Sequence, residues 1–157
     1  SAIWDSNFTG FIVALILFFT VIIIFIYFIK NEVPVQEKYF LLSGVCFLLS
    51  TAITGIIYIL LKPFPTAYEE YGKIILKMHA FISLYGWNIS GLFIIIRWGD
   101  FPIKLNTKKT IIFHWIAIAI IAPLGRFNKG FAILSIIMFF YILYTFFSNK
   151  KNKITKY

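Results

Sequence analysis

Five apolar stretches, separated by short polar ones, run the length of the chain. They cover residues 8–29, 40–61, 74–96, 110–124 and 131–147. A helix needs about 20 residues to cross about 30 Å of hydrocarbon. The first three stretches meet that length. The last two are marginal and would lean on neighbouring helices or a locally thinned bilayer. The intervening segments "KNEVPVQEKY", "KPFPTAYEEYGK" and "RWGDFPIKLNTKK" hold the prolines and charges expected of loops. "PLGRFNKG" reads as a tight turn, with Pro123 ending the fourth helix. The pattern therefore predicts an all-α, integral membrane bundle of five transmembrane helices. Residues 1–149 form a single spanning domain and 150–157 a basic tail.

Composition agrees. The chain of 157 residues is 61% hydrophobic and 13% charged, against about 45–50% and about 25% in soluble domains. The net charge of +9 does not point to nucleic acid, because the cations sit between apolar runs rather than on a folded polar surface. The lone Cys46 excludes an internal disulfide and suits core packing. No cleavable signal peptide is expected: "SAIWDSN" lacks a basic residue, the run after it exceeds an h-region, and Ser1 is read as following a removed initiator Met.

Charge sets the predicted orientation. The side of the N-terminus holds Lys62, Lys73, Lys77, Arg126 and Lys129. The opposite side holds Lys30, Lys38, Arg97, Lys104, Lys108, Lys109, Lys150, Lys151, Lys153 and Lys156. The richer side should be cytoplasmic, which places the N-terminus out and the C-terminus in, in a cytoplasmic membrane of prokaryotic type. A four-span arrangement that merged the last two runs would bury Arg126 and Lys129, each at a cost of at least about 2.5–3.5 kcal/mol. Interfacial aromatics fit the same frame, with Trp4 and Tyr68 at the outer edge and Tyr27, Tyr39, Trp98 and Trp115 at the inner.

Between spans, contact relies on small residues and interhelical hydrogen bonds. Run two offers Ser43, Gly44, Ser50, Thr51, Thr54 and Gly55. In run three, His79, Ser83, Gly86, Ser90 and Arg97 step along one helical stripe. The predicted contact sets Ser50, Thr51, Thr54 and Gly55 against Ser83, Gly86 and Ser90. Run one has few small residues and should face lipid or another subunit. Arg97 and Asp100 are placed to pair at the inner face, and Tyr85 and Trp87 to fill interhelical gaps.

The chain has two histidines, His79 and His114, and histidine is a common metal and haem ligand. At 1.5 Å per residue, His79 lies about 6–8 Å inside one boundary and His114 a similar depth inside the other. A separation of about 15–20 Å prevents both from ligating one haem. Each would need a second ligand from another chain. The competing reading is a neutral imidazole hydrogen-bonded within the bundle, His79 to a residue such as Ser50 or Thr54.

"HAFISLYGW", residues 79–87, resembles the H-A-H-x-N-L-x-G-W element of short membrane proteins related to haem-copper oxidases and nitric oxide reductases. His79, Ala80, Leu84, Gly86 and Trp87 match; Phe81 and Ser83 stand where that element has histidine and asparagine. "FHW", residues 113–115, is similar to His-Trp pairs of b-type cytochromes. The resemblance implies a respiratory setting and a haem b at His79 or His114. Two histidines are too few for the catalytic subunit of a haem-copper oxidase. Asp5, Glu32, Glu37, Glu69, Glu70 and Asp100 all lie at edges or in loops, whereas ion-coupled transporters keep a carboxylate inside the membrane. The expected role is a small non-catalytic subunit of a membrane-embedded electron-transfer complex, in contact with lipids and other membrane subunits. The alternatives are a haem b electron-transfer protein in its own right, and a channel or small-solute carrier.

Overall fold

The computed structural model describes residues 2–30 and 36–148, with side chains from residue 8. Trp4 and the tail at 150–157 therefore lie outside the side chains and residues described. The described residues form five helices and no strand. Helix α1 is Ala2–Lys30, α2 is Lys38–Leu61, α3 is Pro65–Ile96, α4 spans 108–124 and α5 is Lys129–Ser148. Four of them, all but α4, are long and apolar enough to cross a membrane.

Three differences from the sequence reading have local causes. First, α3 begins nine residues before its apolar run. Pro65 sits at the first helical position, where its fixed φ and missing N–H suit a helix start. Most of "KPFPTAYEEYGK" is thus helix, and its Tyr68 hydroxyl meets that of Tyr58 on α2 at 2.8 Å. Second, α3 changes pitch. Residues Ile82–Asn88 form wide π-type turns between two α-helical parts, and α4 does the same over Ile116–Ile121. Third, α4 is one short helix assembled from segments of 8, 6 and 3 residues. Thr107 caps its start by accepting from the Thr110 N–H.

Helix α1 lies on α2, and of its described side chains only Val21 is fully buried. The other four helices group around two apolar clusters. One joins Phe47, Ile82 and Ile118, backed by Trp87, Trp115 and Phe139. The other joins Phe40, Phe93, Ile94, Ile142 and Phe146 with Phe101 and Leu105. The last two come from the α3–α4 loop, which tucks inward. Gly99, at φ +86°, supplies the left-handed turn that starts this loop. Asn106 then fastens the loop to the start of α2: its Oδ1 accepts from the Phe40 N–H at 2.7 Å, and its Nδ2 donates to the Gln36 carbonyl at 3.0 Å.

Candidate functional site

The polar chemistry inside the bundle centres on the two histidines and the faces of α2, α3 and α4 around them. His114 is fully buried. The Phe40 ring stacks on its imidazole at 6.1 Å, and the Phe47 ring meets it edge-on at 5.0 Å. Its Nε2 lies 3.1 Å from the Tyr85 carbonyl oxygen. A carbonyl only accepts, so this partner assigns the proton to Nε2. Nδ1 is then a bare acceptor, buried without a partner among the described residues, and Ser90 Oγ is buried unpartnered among them as well.

The change of pitch in α3 explains why Tyr85 has a carbonyl to offer. In an α-helix the Ile89 N–H would bond to it. Here that N–H bonds to the Leu84 and Gly86 carbonyls instead, so the His114 imidazole reaches an oxygen that its usual donor has passed over. Wide turns of this kind are rare and gather at functional sites. The wide-turn stretches of α3 and α4 lie against each other.

Trp115, read from sequence as an interfacial anchor, points into the bundle. Its ring stacks on Phe47 at 3.9 Å and its indole N–H donates to Ser43 Oγ at 2.9 Å. An indole N–H inside hydrocarbon needs an acceptor, and Ser43 supplies it.

His79 is only half-buried. Its Nδ1 lies 3.0 Å from the Thr51 carbonyl oxygen and 3.3 Å from Thr54 Oγ1. The Thr54 hydroxyl already donates to the Ser50 and Thr51 carbonyls. The proton is therefore assigned to Nδ1, the opposite nitrogen from His114. Nε2 of His79 keeps its lone pair, and among the described residues nothing hydrogen-bonds to it. Gly55 permits the close approach: a Cβ there would sit 3.4 Å from the imidazole Cε1.

The two imidazoles sit at separate levels of the bundle. On α2, His79 lies at Thr51 and Gly55 and His114 at Phe40 and Phe47; on α3, His114 bonds at Tyr85, six residues or about 9 Å beyond the His79 backbone. That offset exceeds the about 4 Å that two iron–nitrogen bonds of about 2 Å would span.

Of the predicted packing residues, Thr51, Gly86 and Ser90 are buried. A Cβ on Gly86 would fall 2.5 Å from the Phe47 ring, so α2 and α3 approach there as closely as glycine allows. Ser50 is half-buried and turns its hydroxyl back to the Cys46 carbonyl of its own helix. Thr51 and Thr54 likewise donate to carbonyls of α2, and Cys46 itself is half-buried. Ser83 is also half-buried, and the fully buried position is its neighbour Ile82. The cause is the wide-turn segment, which rotates the stripe so that Ile82, Gly86 and Ser90, four apart, face inward. Gly44 belongs to the contact too, since a Cβ there would lie 3.0 Å from that of Ser90.

Arg97 leaves the stripe and closes the other end of the bundle. Its Nε pairs with Asp100 Oδ1 at 3.1 Å, and its guanidinium donates to the Phe146 carbonyl at 2.6 Å and the Asp100 carbonyl at 3.0 Å.

Tested against haem, the two histidines differ. His114 does not fit: its Nε2 is engaged and aromatic rings enclose the imidazole. His79 fits as a single axial ligand, because ligating histidines usually donate their other ring N–H to a carbonyl or carboxylate. Among the described residues no three or more His, Cys, Asp or Glu are grouped to hold a metal ion. No family model matches the chain, and no curated protein and no solved structure matches it.

Proposed function

We propose that this is a five-span integral membrane protein, N-terminus out and C-terminus in, that serves as a non-catalytic subunit of a larger membrane-embedded electron-transfer complex. The uneven division of Lys and Arg supports the orientation. The cations at both ends of α4, Lys108 and Lys109 in its first turn and Arg126 just after it, support its crossing. The observation that carries the role is the use of the interior polar groups. Trp115 on Ser43, His114 on Tyr85, His79 on Thr51 and Arg97 on Phe146 each join two helices. Such cross-links hold a scaffold together and leave no reacting group facing another. The resemblance of residues 79–87 to short relatives of the haem-copper oxidases supplies the respiratory setting.

A second reading, a haem b held on His79, is favoured by the unengaged Nε2. The opposite axial ligand would come from another chain, because His114 is turned elsewhere. One preparation tests both. Purification from membranes in mild detergent should bring down further membrane subunits. A Soret band in that material that disappears with His79→Ala and survives His114→Phe would establish the second reading. A chain that purifies alone, without a Soret band, refutes both.

A further inference from the structure

Where α3, α4 and α5 meet, two cavities share Phe81, Ala122 and Ala132 and so form one groove. The larger part, about 400 Å³, is walled by Tyr85, Ile118, Ser135, Ile136, Phe139 and Phe140. The smaller part, about 230 Å³, is bordered by Lys77 and Arg126. From Lys77 to Tyr85 along α3 is eight residues, or about 12 Å, and from Ala132 to Phe140 along α5 is the same. The groove thus runs parallel to the helices. Two cations stand at its mouth, beside the turn joining α4 to α5, and its lining is mostly apolar.

We propose that this groove holds an anionic phospholipid, its phosphate between Lys77 and Arg126 and one acyl chain along Phe81, Tyr85 and Phe139. The inference rests on the membrane reading above and goes beyond it by naming a resident ligand. The charge order carries the choice of occupant. A neutral apolar molecule has no use for the two cations, and a transmembrane helix of another subunit would leave them unmatched unless it brought its own acids. A phospholipid presents its charge at the interface and its chain below, in the sequence Lys77/Arg126 then Phe81 then Phe140. The small side chains Ala122 and Ala132 keep the passage between the two parts open, and the aromatic rings give the chain flat walls.

The test uses the full chain purified in detergent, titrated with phosphatidylglycerol, phosphatidylcholine or inorganic phosphate, and read by native mass spectrometry and thermal unfolding. Phosphatidylglycerol should bind about 25-fold more tightly than phosphatidylcholine, taking about fivefold for each cation near a lipid surface. Inorganic phosphate alone should neither bind nor raise the Tm, which separates a lipid from a free anion. The double variant Lys77→Gln/Arg126→Gln should lose the preference and keep weak binding of both lipids. Ala132→Phe, which plugs the groove, should lose both lipids while retaining the parent's helical circular dichroism. Ala132→Ser should behave as the parent and guard against misfolding as the cause. Equal binding of the two lipids, or a preference that survives the double variant, overturns the proposal. Conversion of a dimer to a monomer by Ala132→Phe overturns it in favour of a second copy. A chain that leaves membranes on carbonate washing would instead defeat the membrane reading itself.

Discussion

His79 and His114 occupy the same kind of position, an imidazole on one helix donating to a backbone carbonyl of its neighbour, yet they end in opposite states. His114 gives its Nε2 proton to Tyr85, is sealed by Phe40 and Phe47, and buries a bare Nδ1. His79 gives its Nδ1 proton to Thr51, is half-exposed, and keeps a bare Nε2 toward the bundle surface. The lesson is that helix pitch and ring packing decide whether a histidine is a brace or a ligand. Where α3 loosens its turns, a carbonyl becomes available deep inside and the imidazole is drawn in. Where α2 is regular and carries Gly55, the imidazole lies close against the helix and one nitrogen stays without a partner among the described residues.

The comparison breaks most severely at Gly86. Replacing it by Leu drives a side chain into Phe47, the ring that braces His114, and should abolish assembly of the folded chain in detergent. Leucine at Ser83, half-buried on the same wide-turn segment, should be tolerated better. Equal damage from both, read by size-exclusion chromatography, would mean that α2 and α3 do not meet as described. His114→Ala should cost about 2–4 kcal/mol in reversible unfolding, from the cavity it leaves and the Tyr85 carbonyl stripped of its donor. His79→Ala should cost about 1 kcal/mol, the scale of one interhelical hydrogen bond within a membrane. A cost at His79 equal to that at His114 would erase the distinction between them. The smallest effect is spectroscopic. Nitrogen-15 NMR of the labelled chain should show the proton on Nε2 of His114 and on Nδ1 of His79. Matching tautomers would remove the basis for regarding His79 alone as a ligand.

Much of the helical plan was legible in the residue pattern, because lipid and helix contacts both demand long apolar runs. The ends of α2, α4 and α5 fall within two residues of their runs. The early start of α3 was not legible, since its first turns are polar and only Pro65 marks them. The site was legible in part. Thr51, Thr54, Gly55 and Gly86 stand out as small residues at helical spacing, and Ser43 and Gly44 carry the same signal. Ser83 is less buried than Ile82 beside it, because a stripe drawn at 3.6 residues per turn runs out of phase across a stretch of wider turns, and nothing in "ISLYGWN" announces that change. Trp115 was misplaced because an indole at a run's edge reads as an anchor, whereas its acceptor, Ser43, is 72 residues away. The inward tuck of Phe101 and Leu105 likewise depends on helices remote in sequence.

The clamp at Arg97 also dates itself in the life of the chain. His79 reaches Thr51 across 28 residues and His114 reaches Tyr85 across 29. Each of those joints can close as soon as its second helix has been synthesised. Arg97 must wait for Phe146, 49 residues downstream in α5. Until the ribosome has delivered that residue, the guanidinium lacks the Phe146 carbonyl and Phe93 lacks the Phe146 ring that lies 4.0 Å from it. A nascent chain stopped short of α5 is therefore left with an unfinished end of polar and aromatic surface, a mark by which quality-control proteases could tell a partial chain from a finished one.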